Sequence, residues 1–152
     1  DPKTLYNMTQ LLDQYAEYWE KCSVILIEEQ MHFGSRINCM ALKLAQHCYS
    51  YFAIKYKDKV VIEFPAYNKT QVFGAPKIET KPHKNGKKRF KAMSKPQRKK
   101  WAVEKTISIL TNRGETGALD NVLNQRKRDD MADVLLMNQA FKYLKYFDGK
   151  FN

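Results

Sequence analysis

The chain has 152 residues and 43% hydrophobic content, which is enough for one globular domain with an ordinary core. Its 27 Lys and Arg residues outnumber 16 Asp and Glu, and the formal net charge of +11 favours a polyanionic partner such as nucleic acid. No apolar stretch approaches the roughly 20 residues that cross a bilayer, so we expect no membrane-spanning helix. Cys22, Cys39 and Cys48 lack CxxC spacing, which is typical of reduced thiols in an intracellular protein.

The first part of the chain predicts alternating helices and strands. Apolar residues at helical spacing predict a helix over about 4–21 and another over about 35–52. An unbroken apolar run predicts a buried strand over 24–27 that ends at Glu28, and 60–64 predicts a second strand. The side chains expected to face inward from the helix over 35–52 are Ile37, Met40, Ala41, Leu44, Cys48 and Tyr51.

The second part begins with a basic loop at about 75–99, in which Glu79 is the only acid. Prolines and glycines interrupt this segment, which predicts a loop or a mobile hairpin. Ser94 is suited to cap the next helix, and Gly114 is suited to end it. The inward positions of that helix are expected to be Val103, Ile107 and Leu110. A final helix is predicted over about 129–147.

Strands that alternate with helices predict an α/β fold in a single domain. Two strands are few for a sheet, which usually has four to six. Because the chain also begins with Asp1 rather than Met, we expect that this sequence lacks amino-terminal strands of the complete protein.

Asp130 and Asp133 are candidate metal ligands. They lie three residues apart, which places them on one face of a helix, and apolar residues follow them. Glu28 ends a predicted buried strand, and functional sites of α/β folds gather at the carboxyl ends of strands. If the last helix starts beside that strand, the three carboxylates would hold Mg²⁺, two ions being expected and Mn²⁺ being able to substitute.

The same acids also have ordinary structural interpretations. Asp129 or Asp130 could cap the last helix, and Asp133 could be a first-turn acid favoured by the helix dipole. Glu28 could be a solvated strand end, and Glu29 should point to the opposite side of the strand. The acids taken together, in so basic a chain, favour a nuclease.

Two short motifs carry a family resemblance. The segment 27–30 (Ile-Glu-Glu-Gln) resembles an Ile-Glu-x-Gln element, and 130–135 (Asp-Met-Ala-Asp-Val-Leu) resembles an Asp-x-Ala-Asp-Ala-Leu element. On these elements the chain resembles the Holliday-junction resolvases of the RuvC type, in the RNase H-like superfamily. The similarity is greatest to the poxviral and mitochondrial branch. It implies that Glu28, Asp130 and Asp133 are catalytic carboxylates.

Two further elements extend the resemblance. Pro65, Lys69, Val72 and Gly74 resemble the family's Pro-x-x-x-Lys-x-x-Val-x-Gly, and Lys100 with the following Val103 resembles its next Lys-x-x-Val. The resemblance implies an RNase H-like mixed sheet flanked by helices, a homodimer, and phosphate contacts from the lysines. The residues expected to bind DNA are Lys69, Lys87, Lys88, Arg89, Lys91, Lys95, Arg98, Lys99 and Lys100.

The expected function is therefore a Mg²⁺-dependent endonuclease that resolves four-way DNA junctions by paired symmetric nicks. An RNase H-like nuclease acting on another nucleic acid structure is the first alternative. A non-catalytic basic DNA-binding protein is the second alternative. The poxviral similarity favours the cytoplasm of a virus-infected cell, with the mitochondrion as the other setting.

Overall fold

The computed structural model describes residues 1–30, 37–81 and 85–150. The described elements in chain order are α1 (Pro2–Asp13), α2 (Ala16–Lys21), β1 (Val24–Glu28), α3 (Cys39–Lys55), β2 (Val60–Phe64), α4 (Tyr67–Val72), β3 (Ile78–Thr80), β4 (Arg89–Lys91), α5 (Lys95–Arg113), α6 (Thr116–Asn124) and α7 (Arg128–Tyr146). The fold is thus mixed α/β with small sheets, as the sequence predicts. The chain divides into two compact units, the first spanning Asp1–Ala66 and the second Tyr67–Asn152. Its organisation as a single domain stays a prediction.

The first unit is built around two parallel strands. β1 pairs with β2 in a register that runs from Val24 opposite Val60 to Glu28 opposite Phe64. Parallel pairing needs a crossover, and α3 supplies it. Ile25 and Ile27 are buried against α3, while Glu28 at the carboxyl end of β1 is exposed. Both predicted strands are confirmed.

The helix predicted over 4–21 is instead two helices. α1 ends at Asp13, and Tyr15 adopts φ −105° and ψ 17° between α1 and α2. The indole Nε1 of Trp19 donates a hydrogen bond of 2.7 Å to the carbonyl oxygen of Leu12. The side chain thereby takes a backbone acceptor that a continuous helix would use itself, a competition that apolar spacing does not reveal.

The inward face predicted for the second helix is partly wrong. α3 begins at Cys39 because the side chain of Asn38 caps it, accepting from the backbone N–H of Ala41 at 3.1 Å. Ile37 therefore precedes the helix and is exposed, and Met40 is exposed as well. Of the remaining predicted positions, Ala41, Leu44, Cys48 and Tyr51 are half-buried, whereas the buried core residue of this helix is Phe52. The predicted start near residue 35 lies outside the described residues.

In the second unit α5 packs on α7 through small side chains. Ala102, Ala132 and Leu136 form the buried contact. Thr106 and Leu110 continue the buried face of α5, so that face lies one position before the predicted Val103 and Ile107, which are half-buried. Small residues let two helices approach closely, and a search for large apolar side chains overlooks them.

Two helices of the second unit, α4 and α6, were not predicted. α4 has only six residues, and α6 begins with Thr116 and Gly117, which have weak helix propensity.

The basic loop contains an antiparallel hairpin of β3 and β4, and its residues 82–84 lie outside the described part. Ser94 forms a capping box with Gln97, as expected for the start of α5. In the part of the chain that the structure describes, no helix is both long and apolar enough to cross a membrane.

The turn after α4 requires glycine. Gly74 adopts φ +63°, and the backbone N–H of Ala75 donates to the carbonyl of Thr70 at 2.8 Å. We expect Gly74→Ala to lower the free energy of unfolding by about 1 kcal/mol, because a Cβ disfavours left-handed backbone. Gly117→Ala, a glycine inside a helix with nothing within 4 Å of the added Cβ, should instead stabilise by about 0.5–1 kcal/mol. Urea denaturation of both variants measures the difference, and a Gly74→Ala variant as stable as the wild type would contradict the assignment of the turn.

Candidate functional site

The amino-terminal turn of α7 carries the candidate carboxylates. Asp129 and Asp130 lie in this first turn, while the N-cap is Lys127, whose side chain makes no capping hydrogen bond. The interpretation of either Asp as the N-cap is therefore wrong. Ala132 is fully buried, so it anchors this part of the helix in the core and leaves Asp133 beside buried surface.

Asp133 is paired with a lysine from α4. The Nζ atom of Lys69 lies 2.8 Å from Oδ1 of Asp133, with 12% of the lysine and 35% of the aspartate side chain exposed. α4 packs on α7, and the chain turns away at Gly74, two residues after the end of α4. The structure thus brings together two residues, distant in sequence, that belong to two of the quoted motifs.

Asp129 has a lysine partner from α5. Lys99 donates a hydrogen bond to its carboxylate, and this bond lowers the pKa of Asp129. The same bond raises the pKa of Lys99, and the charges of Asp130 and Asp133 add to the effect. Lys99 therefore lies within electrostatic reach of all three carboxylates at the start of α7. The sequence interpretation considered Asp129 only as a cap, and the charge partner could be found only from the packing of α5 on α7.

Asp130 is the most open carboxylate of the three. Its only described ion pair is with Lys127 at 3.9 Å, and 64% of the aspartate side chain is exposed. A pair of that length between exposed side chains contributes little free energy. The carboxylate of Asp130 is therefore available for an external cation.

The donor set at the start of α7 suits Mg²⁺ in part. Asp130 and Asp133 offer carboxylate oxygens one helical turn apart, and Mg²⁺ is commonly held by one or two carboxylates together with water and phosphate oxygens. Among the described residues, no group of three or more His, Cys, Asp or Glu side chains that could hold a metal ion is found.

Glu28, the third predicted ligand, belongs to the first unit. Its side chain is exposed at the carboxyl end of β1. Its meeting with Asp130 and Asp133 stays a prediction. Glu29 follows the end of β1 and lines a small cleft, and its pointing to the opposite side from Glu28 stays a prediction. The cleft is lined by Glu29, Gln30, Leu42, Ala45, Gln46 and Glu63.

Apart from the largely buried Lys69, the predicted DNA-binding cations form two exposed groups. The first group lies on and beside β4 and comprises Lys87, Lys88, Arg89 and Lys91. The second lies in the first two turns of α5 and comprises Lys95, Arg98, Lys99 and Lys100. The first turn of α5 contains no acidic residue, so its cations add to the positive end of the helix dipole and attract anions. Lys100 is 79% exposed and lies 3.8 Å from Glu104.

These features define a basic α/β protein with a lysine-paired acidic cluster at the start of one helix. The chain is similar to the uncharacterized protein 170L of Invertebrate iridescent virus 6 and to the uncharacterized protein 97L of Invertebrate iridescent virus 3. It is 35% identical to 170L over 152 aligned positions and 37% identical to 97L over 136.

The aligned regions cover most of this chain but little more than half of each relative. They include 95% of the chain and 60% of 170L, and 90% of the chain and 56% of 97L. The chain therefore spans less than two thirds of the length of these viral proteins. No model of a known protein family matches the chain. No solved structure matches it either.

Proposed function

We propose that the protein is a Mg²⁺-dependent endonuclease that cuts four-way DNA junctions. The observation that carries the proposal is the ion pair between Lys69 and Asp133. Each residue belongs to a different motif of the junction-resolvase resemblance, and the two motifs are separated by the whole basic loop. A chance resemblance in sequence gives no reason for these two side chains to lie in contact.

A purely structural ion pair is the competing explanation. It would account for Lys69 and Asp133, while the helix dipole favours Asp129 and Asp130 in the first turn of α7. Three carboxylates in one helical segment repel one another, which is unfavourable for stability unless cations compensate the charge. Groups with shifted pKa values are concentrated at functional sites, and structural ion-pair networks shift pKa values too, so the motif contact of Lys69 with Asp133 carries the choice.

The lysines of the cluster would have two tasks. Before substrate arrives, Lys69 and Lys99 neutralise Asp133 and Asp129 and keep the start of α7 ordered. When a phosphate binds beside the acids, the ammonium groups of Lys69 and Lys99 would lie close enough to contact its oxygens. Asp130 and Asp133 would hold Mg²⁺, which when bound supplies charge neutralisation and a more acidic water for phosphodiester hydrolysis. Glu28 is proposed as a further ligand from the resemblance alone.

The exposed cations of the hairpin and of α5 would bind the DNA backbone. Lysines that contact phosphates fix position and orientation but read no base sequence, which suits recognition of a junction by its shape. The proposal includes an RNase H-like sheet, a homodimer that nicks two strands symmetrically, and action in the virus-infected cell. The viral relatives favour that setting over the mitochondrion.

A cleavage assay with three substrates tests the proposal. The full-length protein is incubated with a labelled four-way junction, an RNA–DNA hybrid or a linear duplex, each with Mg²⁺ or with EDTA. We expect paired nicks in the junction, only when Mg²⁺ is present. Cleavage of the hybrid in preference to the junction would instead identify an RNase H-like nuclease with another substrate. Binding without Mg²⁺-dependent cleavage of any substrate would identify a non-catalytic DNA-binding protein.

A further inference from the structure

The hairpin of β3 and β4 exposes an aromatic ring. Phe90 is the central residue of β4, and 52% of it is accessible to solvent. Its partner across the hairpin is Glu79. A single exposed apolar side chain is ordinary on a protein surface, so the charges around the ring decide whether it marks a binding surface.

The charge around the ring identifies the kind of partner. Positions 77 and 81 flank β3 and position 88 precedes β4, so the alternation of side chains, continued one residue beyond these short strands, puts them on the face of Phe90. All three are lysines. Lys88 contacts Glu79 at 3.3 Å, which places it on this face directly, and both side chains are largely exposed. Because an exposed ion pair contributes little free energy, Lys88 can leave Glu79 and contact a phosphate instead.

We propose that this face of the hairpin binds unpaired DNA, with Phe90 stacking on a nucleobase. A ring surrounded by cations matches a nucleic acid strand, which offers a flat base beside a phosphate. Lys77, Lys81 and Lys88 would contact the backbone while the ring stacks. The same surface suits duplex DNA poorly, because paired bases already stack on one another and are not free to cover Phe90.

The binding measurement uses the full-length protein in EDTA, with labelled single-stranded DNA and a duplex of the same sequence. We expect Phe90→Ala to weaken single-strand binding by roughly tenfold to a hundredfold, and duplex binding by less than about twofold. Phe90→Tyr should restore binding, because it keeps a stacking ring. Phe90→Leu should not, because it keeps only apolar surface. Tyr6→Ala, which removes an exposed ring from α1, is the matched control and should have no effect.

Salt dependence separates stacking from charge. Changing Lys77, Lys81 and Lys88 to Gln should reduce the slope of log affinity against log salt by about 0.7 for each lost phosphate contact, whereas Phe90→Ala should leave the slope unchanged. Unchanged single-strand binding by Phe90→Ala, or full binding by Phe90→Leu, would overturn the inference. Cleavage plays no part in these measurements, so the inference and the proposed nuclease activity can fail separately.

Discussion

Asp130→Asn is expected to lower Mg²⁺-dependent junction cleavage on the order of 10³-fold while junction binding is kept or strengthened. The carboxylate is largely exposed and its only described ion pair is long, so the substitution removes a cation ligand and leaves the packing of α7 unchanged. Loss of one negative charge also reduces repulsion of the phosphates. Single-turnover cleavage and fluorescence anisotropy, measured on the same junction, give the two quantities.

Asp120→Asn is the matched control for Asp130→Asn. Asp120 is an exposed acid on α6, so its substitution makes the same change in net charge away from the start of α7. We expect cleavage within about twofold of the wild-type rate for this variant. If Asp130→Asn cuts as fast as the control, Asp130 is not a metal ligand. If Asp130→Asn loses junction binding and cleavage together, its role is structural.

Lys69→Met is expected to lower the cleavage rate at saturating Mg²⁺ by about 10²-fold. Methionine keeps much of the aliphatic length of this largely buried side chain but removes the ammonium group that lies 2.8 Å from Asp133. The Mg²⁺ concentration for half-maximal activity should stay the same or fall, because no resident cation then competes for the carboxylate. If Lys69 has only a structural role, the folded fraction of Lys69→Met should instead cleave the junction at the wild-type rate.

The control for Lys69→Met is Lys142→Met, which removes an exposed lysine from the same helix as Asp133. This variant should match the wild-type rate and Mg²⁺ requirement. Mn²⁺ binding measured by electron paramagnetic resonance gives a readout that does not depend on cleavage. Weaker Mn²⁺ binding by Lys69→Met than by Lys142→Met would contradict competition between the lysine and the metal.

Much of the fold follows from local patterns in the sequence. The run from Val24 and the run from Val60 are apolar enough to be recognised as strands, and Ser94 and Gly114 mark both ends of α5. The break between α1 and α2 depends on an indole that reaches back to Leu12. That break arises from a contact between side chain and backbone, which periodicity does not encode.

The candidate site, too, could be predicted only in part from the sequence. The spacing of Asp130 and Asp133 is enough to place them on one face of a helix. The pairing of Lys69 with Asp133 and of Lys99 with Asp129 depends on how α4 and α5 pack on α7. Small residues such as Ala102 and Ala132 make that packing close, and their importance appears only in three dimensions.

Anomalous diffraction from Mn²⁺-soaked crystals of the full-length protein tests the central claim most directly. The proposal predicts a Mn²⁺ peak about 2.0–2.2 Å from carboxylate oxygens of both Asp130 and Asp133, with Glu28 as a further ligand. A structure in which Mn²⁺ binds elsewhere, while Lys69 remains on Asp133 at saturating metal, would contradict it.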